Sequence, residues 1–140
     1  MKICILTHTF PRFEKDIAAP FMDGVSRGMV ESKNEVVVLT SYSPKFKITS
    51  KSKKYKVVLY KYMPFKSWHK LGYSETLTDD KTLKFVNLLL SPFMFFFGAI
   101  ALYRLVKREK IDVINAHWIL PNGFIASMVS KITGTVVVST

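Results

Sequence analysis

Five short apolar runs, separated by segments long enough for helices, constrain the fold of this chain most. Continuous apolar runs of this length are typical of strands that are covered on both faces in a parallel sheet. Their alternation with helical segments predicts a three-layer α/β fold, and the usual winding of such folds predicts the strand order 3-2-1-4-5. The runs are residues 2–7, 35–40, 56–60, 112–116 and 135–139.

Proline, glycine and asparagine positions mark the helices between these runs. The first helix begins near Pro20, and Asn34 is expected to take the left-handed turn before the second strand. Ser91-Pro92 predicts a break between a helix that starts at Asp79 or Asp80 and another that ends near Lys110. The last helix runs from Pro121 to Ile132 and stops at Gly134. We expect two helices to bury these residues: Phe21, Met22, Val25 and Met29 in the first; Phe124, Ile125, Met128, Val129 and Ile132 in the last.

Length, charge and cysteine content narrow the class of protein. A chain of 140 residues is large enough for one domain with a hydrophobic core. Its single cysteine, Cys4, lies in the first apolar run, which predicts a buried thiol in a reducing compartment and excludes a disulfide or zinc scaffold. The net charge is +11, and residues 36–74 contain nine lysines and no acid. Such a field attracts nucleic acid, acidic lipid or phosphorylated substrates, although a solvated loop without a partner stays open. Nucleic acid is the least expected of these partners, because no zinc finger, helix-turn-helix or RNP-type motif accompanies the lysines.

Residues 85–103 contain no charged side chain. A segment of this length is compatible with a membrane span, with a helix sunk in the membrane surface, or with a buried helix. A span would separate the strands before it from those after it, so we expect a helix that packs on the sheet. The other two interpretations remain alternatives.

The predicted strand order places the loops after the first and fourth strands beside each other. Ligands of open α/β sheets bind in the crevice at this switch point. The first loop lacks the G-x-G-x-x-G pattern that dinucleotide binding needs, so NAD is not expected. Six side chains are expected to face the crevice: His8, Arg12, Asp16, His117, Trp118 and Asn122.

Four segments resemble a known family, namely residues 2–12, 16–21, 35–39 and 112–123. The last of them, from Asp112 to Gly123, is the most specific. Together they look like the N-terminal domain of family 4 glycosyltransferases. The resemblance implies a GT-B enzyme with two Rossmann-like domains, of which the first binds the acceptor and the second binds a nucleotide-sugar, and which transfers the sugar with retention of configuration. It also implies that residues 1–140 are a partial N-terminal domain, truncated at the C-terminus, without the donor domain.

The resemblance assigns roles to individual residues. His117 is expected to act as the catalytic residue beside the acceptor and the donor sugar, and residues 16–19 are expected to lie near the donor phosphates. Ala19 and Lys33 stand where the family usually has glycine. No metal and no cofactor are expected, since sugar transfer here would depend on positioning and hydrogen bonding. The substrate-binding residues are expected to be His8, Arg12, Asp16, Ala19, Trp118 and Asn122.

The sequence therefore predicts the acceptor side of a glycosyltransferase, inactive by itself. Its expected partners are a nucleotide-sugar and a glycan or lipid-linked acceptor, and its expected location is the cytoplasm, with peripheral membrane contact. Two alternatives remain. One is a non-catalytic basic α/β domain that binds anionic membrane or nucleic acid, and the other is a small protein anchored in a membrane by residues 85–103.

Overall fold

The computed structural model is a five-stranded parallel sheet with helices on both faces. It describes residues 1–14, 16–47, 54–65, 69 and 81–140, and the side chains of 81–88 are not among the described ones. The predicted helix cap at Asp79 or Asp80 therefore lies outside the described residues. The elements are β1 (Lys2–Leu6), α1 (Phe21–Glu31), β2 (Glu35–Ser41), β3 (Lys56–Tyr60), α2 (Lys81–Glu109), β4 (Val113–Ala116), α3 (Phe124–Thr133) and β5 (Val136–Ser139).

The strand order β3-β2-β1-β4-β5 confirms the prediction. β1 is the central strand, and Ile3 pairs with Val36 of β2 on one side and with Val113 of β4 on the other. Leu6 pairs with Ala116, so β1 and β4 end side by side. The loops that follow these two strands therefore begin at the same edge of the sheet.

Side chains alternate between the two faces of the sheet and build two cores. Ile5 and Val38 face α1, where they pack with Met22. Cys4 and Leu6 face the other side and pack with the buried residues of α2 and α3. Because neighbouring strand residues point to opposite faces, continuous apolar runs are what a sheet between two helical layers requires.

The predicted helix break at Ser91-Pro92 is wrong. A single helix, α2, continues from Lys81 to Glu109 with Pro92 inside it. An interior proline costs a helix about 3 kcal/mol through a lost hydrogen bond and a steric clash. Leu90 and Met94, on either side of Pro92, are both buried in the same core. Packing of both halves against one sheet face therefore outweighs the local preference for a break.

Two further local predictions are wrong in part. In α1, Phe21 is exposed, and Ser26 is buried beside Met22 with its hydroxyl donating to the Met22 carbonyl at 2.8 Å. In α3, the buried residues are Ile125, Ala126 and Val129. These three residues belong to the same core as the buried residues of α2, so their side of α3 is the one that faces inward. The three residues predicted inward but found on the outer side are Phe124, Met128 and Ile132.

The turn before β2 uses Lys33, and not Asn34, as its left-handed residue. Lys33 has φ 62°, and its N–H donates to the Val30 carbonyl at 2.9 Å. Asn34 instead donates its side-chain amide to the Met29 carbonyl at 3.1 Å. The left-handed residue normally lies directly after the helix C-cap, which is Ser32 in α1. Lys33 occupies that position and therefore adopts the left-handed conformation, although asparagine adopts it more easily.

Candidate active site at the end of β1 and β4

His8 and His117 lie just beyond the carboxyl ends of β1 and β4, His8 two residues after Leu6 and His117 directly after Ala116. The His117 N–H donates to the Leu6 carbonyl at 3.0 Å, so the pairing of the two strands continues into the crevice. The rings of His8 and Trp118 lie 5.8 Å apart between centroids. Of the six residues expected at the crevice, the structure brings together His8, His117, Trp118 and Asn122.

Asn122 joins the two loops. It is fully buried, and its Nδ2 donates to the His117 carbonyl at 2.6 Å and lies 3.1 Å from His8 Nδ1. With Nδ2 as the donor, His8 Nδ1 accepts, which places the proton of neutral His8 on Nε2. Burial lowers the pKa of His8, which also favours the neutral ring. Asn122 therefore fixes both the position and the tautomer of His8.

His117 and Asn122 each hold a polar atom that has no hydrogen-bond partner among the described residues. These atoms, His117 Nε2 and Asn122 Oδ1, are buried. His117 Nδ1 lies 3.1 Å from Thr140 Oγ1, and burial lowers the pKa of His117. A buried polar atom without a partner costs about 1–3 kcal/mol, so such atoms are uncommon in folded proteins. A hydroxyl group or a water molecule that reached these atoms would satisfy them.

Trp118 has a backbone conformation that bulky residues rarely adopt. Its φ is 73°, and half of its side chain is exposed. Positive φ in such a residue usually marks a place where the surrounding structure imposes strain, often at a functional site. A short π-helical segment, Ile119–Gly123, follows; it is kinked at Leu120 and contains a cis Leu120–Pro121 bond. A Cβ on Gly123 would lie 3.2 Å from Ser139 Oγ, so close packing on β5 favours glycine there.

Arg12 and Asp16 form a buried ion pair within the loop that follows β1. Asp16 Oδ2 accepts from Arg12 Nε at 2.7 Å and from the Arg12 backbone N–H at 2.9 Å, while Oδ1 accepts from Arg12 Nη2 and the Ala18 N–H at 3.2 and 3.1 Å. The hydrogen bond from Arg12 is the main reason why the pKa of Asp16 falls to about 2. All four bonds stay inside the loop, so the pair shapes its path. Contact of either residue with substrate remains a prediction.

Ala19 has φ 49°, the left-handed conformation that glycine adopts most easily. The loop therefore keeps a glycine-like backbone at the position where the resembling family usually has glycine. Its methyl group still occupies space that glycine would leave open.

Thr140 is a site residue that the sequence did not reveal. Besides the contact of its hydroxyl with His117, its carbonyl accepts from the Trp118 N–H at 2.9 Å. It follows β5 directly, beside the end of β4. The predicted order of β4 and β5 was the signal that could have placed it at the crevice. In the described part of the chain, no three His, Cys, Asp or Glu side chains group as metal ligands.

Residues 75–140 match the family model described as "Glycosyl transferase 4-like". The matched range includes β4, α3, β5 and three crevice residues, His117, Trp118 and Asn122, whereas His8, Arg12, Asp16 and Ala19 lie outside it. A search of curated proteins found no match.

Among solved structures, the chain is similar to the C-terminal domain of a hydrogenase from Pyrococcus furiosus, with a TM-score of 0.54 and 12% sequence identity. The alignment covers 99% of this chain and 89% of that one. This likeness concerns the fold, which is a Rossmann-like α/β fold. Residues 75–140, the region that carries His117, Trp118 and Asn122, are thus similar to family 4 glycosyltransferase-like domains.

Proposed function

We propose that this protein supplies the acceptor side of a sugar transfer from a nucleotide-sugar, with retention of configuration. The observation that carries the proposal is the group of His8, His117 and Asn122 at the end of β1 and β4, with two buried polar atoms lacking partners. The glycosyl transferase 4-like match over residues 75–140 supports the reaction class.

The proposed chemistry consists of positioning and hydrogen bonding. His117 Nε2 and Asn122 Oδ1 bind hydroxyl groups of the acceptor or the transferred sugar, and His8 offers its Nε2 proton beside them. Trp118 supplies an aromatic surface for a sugar ring. Holding a hydroxyl against the anomeric carbon removes much of the entropic barrier to transfer, and no covalent step on these side chains is required.

The loop from Asp16 to Ala19 is the proposed neighbour of the donor phosphates. The resemblance suggests this role, and the glycine-like φ of Ala19 supports it, because the backbone path needed for a close approach is kept. The Arg12–Asp16 pair would hold that path in place.

Ligand binding tests the site directly. Trp118 fluorescence, measured in a Trp68→Phe background so that one tryptophan reports, should change when hexoses, disaccharides, or UDP- and GDP-linked hexoses are titrated. His117→Gln should weaken the binding of responding sugars by roughly tenfold, about the contribution of one hydrogen bond in a buried site. Lys131→Gln, an exposed change on α3, is the matched control. Absence of any response, or equal binding by His117→Gln, would refute the site.

A turnover assay tests whether residues 1–140 catalyse sugar transfer by themselves. We expect residues 1–140 by themselves to turn over no nucleotide-sugar, because donor recognition in the resembling family belongs to a second domain. Transfer of label from any nucleotide-sugar by the purified 140-residue chain would contradict this.

We also propose a cytoplasmic location, which suits the buried free thiol of Cys4.

A further inference from the structure

The helix α2 presents two apolar faces, of which only one is covered by the described part of the protein. The inner face carries Leu102, Leu105 and Val106, which are buried in the core beside the sheet. The outer face repeats apolar residues three or four positions apart, which places them in one row along the helix. This outer row consists of Leu89, Phe93, Phe96, Ile100 and Tyr103.

The outer row is exposed to an unusual degree. Leu89 and Phe96 are each 62% exposed, Phe93 is 46% exposed and Tyr103 is 39% exposed. A surface helix normally presents charged and polar residues on this side. A contiguous row of large exposed apolar side chains is typical of an interaction surface.

Cations border the outer row at its carboxyl-terminal end. Lys107 continues the row, and Arg104 lies beside it, both exposed. Next to them a groove of about 290 Å³ runs between α2 and β3, with apolar Phe97 and Ile100 and the cations Lys61 and Arg108 in its lining. Glu109, the described acid closest to these cations in sequence, is already paired with Lys2 and Lys56, which lowers its pKa to about 2.

We propose that the outer row of α2 and its cationic end dock on a bilayer that contains anionic lipid. Aromatic side chains enter the boundary between head groups and acyl chains, and nearby cations bind the lipid phosphates. A net charge of +11 complements such a surface. It opposes pairing of this face with a second copy, because like charges would then meet. The proposal concerns location and does not rest on the sugar-transfer reaction.

The same helix fits surface docking better than a membrane span. By length and composition Leu89–Glu109 is apolar enough to cross a membrane, which by itself is weak evidence. However, its inner residues form one core with Cys4 and Leu6 of β1. Moreover, Glu109 binds Lys2 and Lys56, at the start of β1 and β3. A spanning helix would have to withdraw these groups from the sheet.

Vesicle sedimentation tests the proposal with the 140-residue chain. We expect strong binding to vesicles of phosphatidylcholine with phosphatidylglycerol, and weaker binding to phosphatidylcholine alone. Raising the salt from 0.1 M to 1 M shortens the Debye length from about 10 Å to about 3 Å, and should reduce the anionic preference and leave the apolar part.

Two double variants separate the two contributions. Arg104→Gln with Lys107→Gln should lower the partition to anionic vesicles by roughly 25-fold, about fivefold for each cation. Its matched control, Lys33→Gln with Lys131→Gln, removes the same charge elsewhere and should change binding much less.

Phe93→Gln with Phe96→Gln should lower binding to both vesicle types by roughly fivefold per ring, since about half of each ring is free to be buried. Met128→Gln with Ile132→Gln, exposed apolar residues of α3, is its control. All four positions are on the surface, and thermal unfolding would verify the fold of each variant.

Three results would overturn the proposal. They are an absence of binding to anionic vesicles, equal losses in the test and control variants, and retention of the protein in the pellet after extraction with alkaline carbonate. The last result would indicate a span, whereas a peripheral protein is released.

Discussion

Asp16→Asn should destabilise the fold by about 2 kcal/mol at pH 7. The Asp16 side chain is 1% exposed, and its two oxygens accept four hydrogen bonds. Its pKa lies nearly two pH units below the ordinary 3.8, chiefly because of the bond from Arg12, and this lowering corresponds to about 2 kcal/mol. An asparagine turns an NH₂ group towards two of the donors and so loses hydrogen bonds of the set that lowers this pKa.

The predicted loss depends on pH in a defined direction. A carboxyl group whose pKa is lower in the folded state stabilises that state fully above its unfolded pKa of 3.8, and this stabilisation disappears as the pH falls through about 2. The difference in unfolding free energy between the wild type and Asp16→Asn should therefore decrease by about 1 kcal/mol between pH 7 and pH 3.

Urea unfolding followed by circular dichroism measures both quantities. Glu14→Gln removes a carboxylate from an exposed position in the same loop and should change the unfolding free energy by less than about 0.5 kcal/mol. If Asp16→Asn cost less than about 1 kcal/mol at pH 7, the Arg12–Asp16 pair would not hold the loop. A difference that does not decrease at pH 3 would refute the electrostatic part of the reasoning.

Three further predictions concern other parts of the molecule. Ala19→Gly should raise the unfolding free energy by up to about 1 kcal/mol, because it relieves a φ of 49°, and a lower melting temperature in calorimetry would contradict this. Cys4 should not react with a thiol reagent at pH 8 until the protein unfolds, because full burial raises its pKa to about 12; rapid labelling of the folded chain would disprove it. Burial lowers the pKa of His117, so the unfolded state takes up the proton first and stability should fall below about pH 6.5. His117→Gln should therefore flatten the decline of the urea midpoint between pH 7.5 and 5.5, and an unchanged slope would count against this.

The sheet and the location of the crevice could be predicted from the sequence for a simple reason. Runs such as Val36–Leu39 are short and apolar at every position, as a strand covered on both faces requires. Once the strands are known, the winding rule for such sheets places β1 beside β4, and with them His8 beside His117. These are consequences of local pattern and general topology.

The details of the site depend on distances between side chains, which no local pattern encodes. The sequence nominated Arg12 as a substrate-binding residue, and only the folded loop shows its guanidinium paired with Asp16. The sequence nominated Asn122 as one polar contact among several, and only the structure shows it joining His8 to the His117 carbonyl. Thr140 became visible as a neighbour of His117 only once β5 was placed.

Residue types and their spacing thus determined the five strands, their order, the crevice at the switch point and the glycosyltransferase resemblance of the 112–123 segment. Tertiary packing alone decided that α2 continues through Pro92, that Phe124, Met128 and Ile132 lie outside, and that Lys33 takes the left-handed turn. At Pro92 and at Lys33, a local preference of about 1–3 kcal/mol competed with contacts to other parts of the fold. The burial of several side chains against one sheet face is worth more than such a preference, and it exists only once the sheet is assembled.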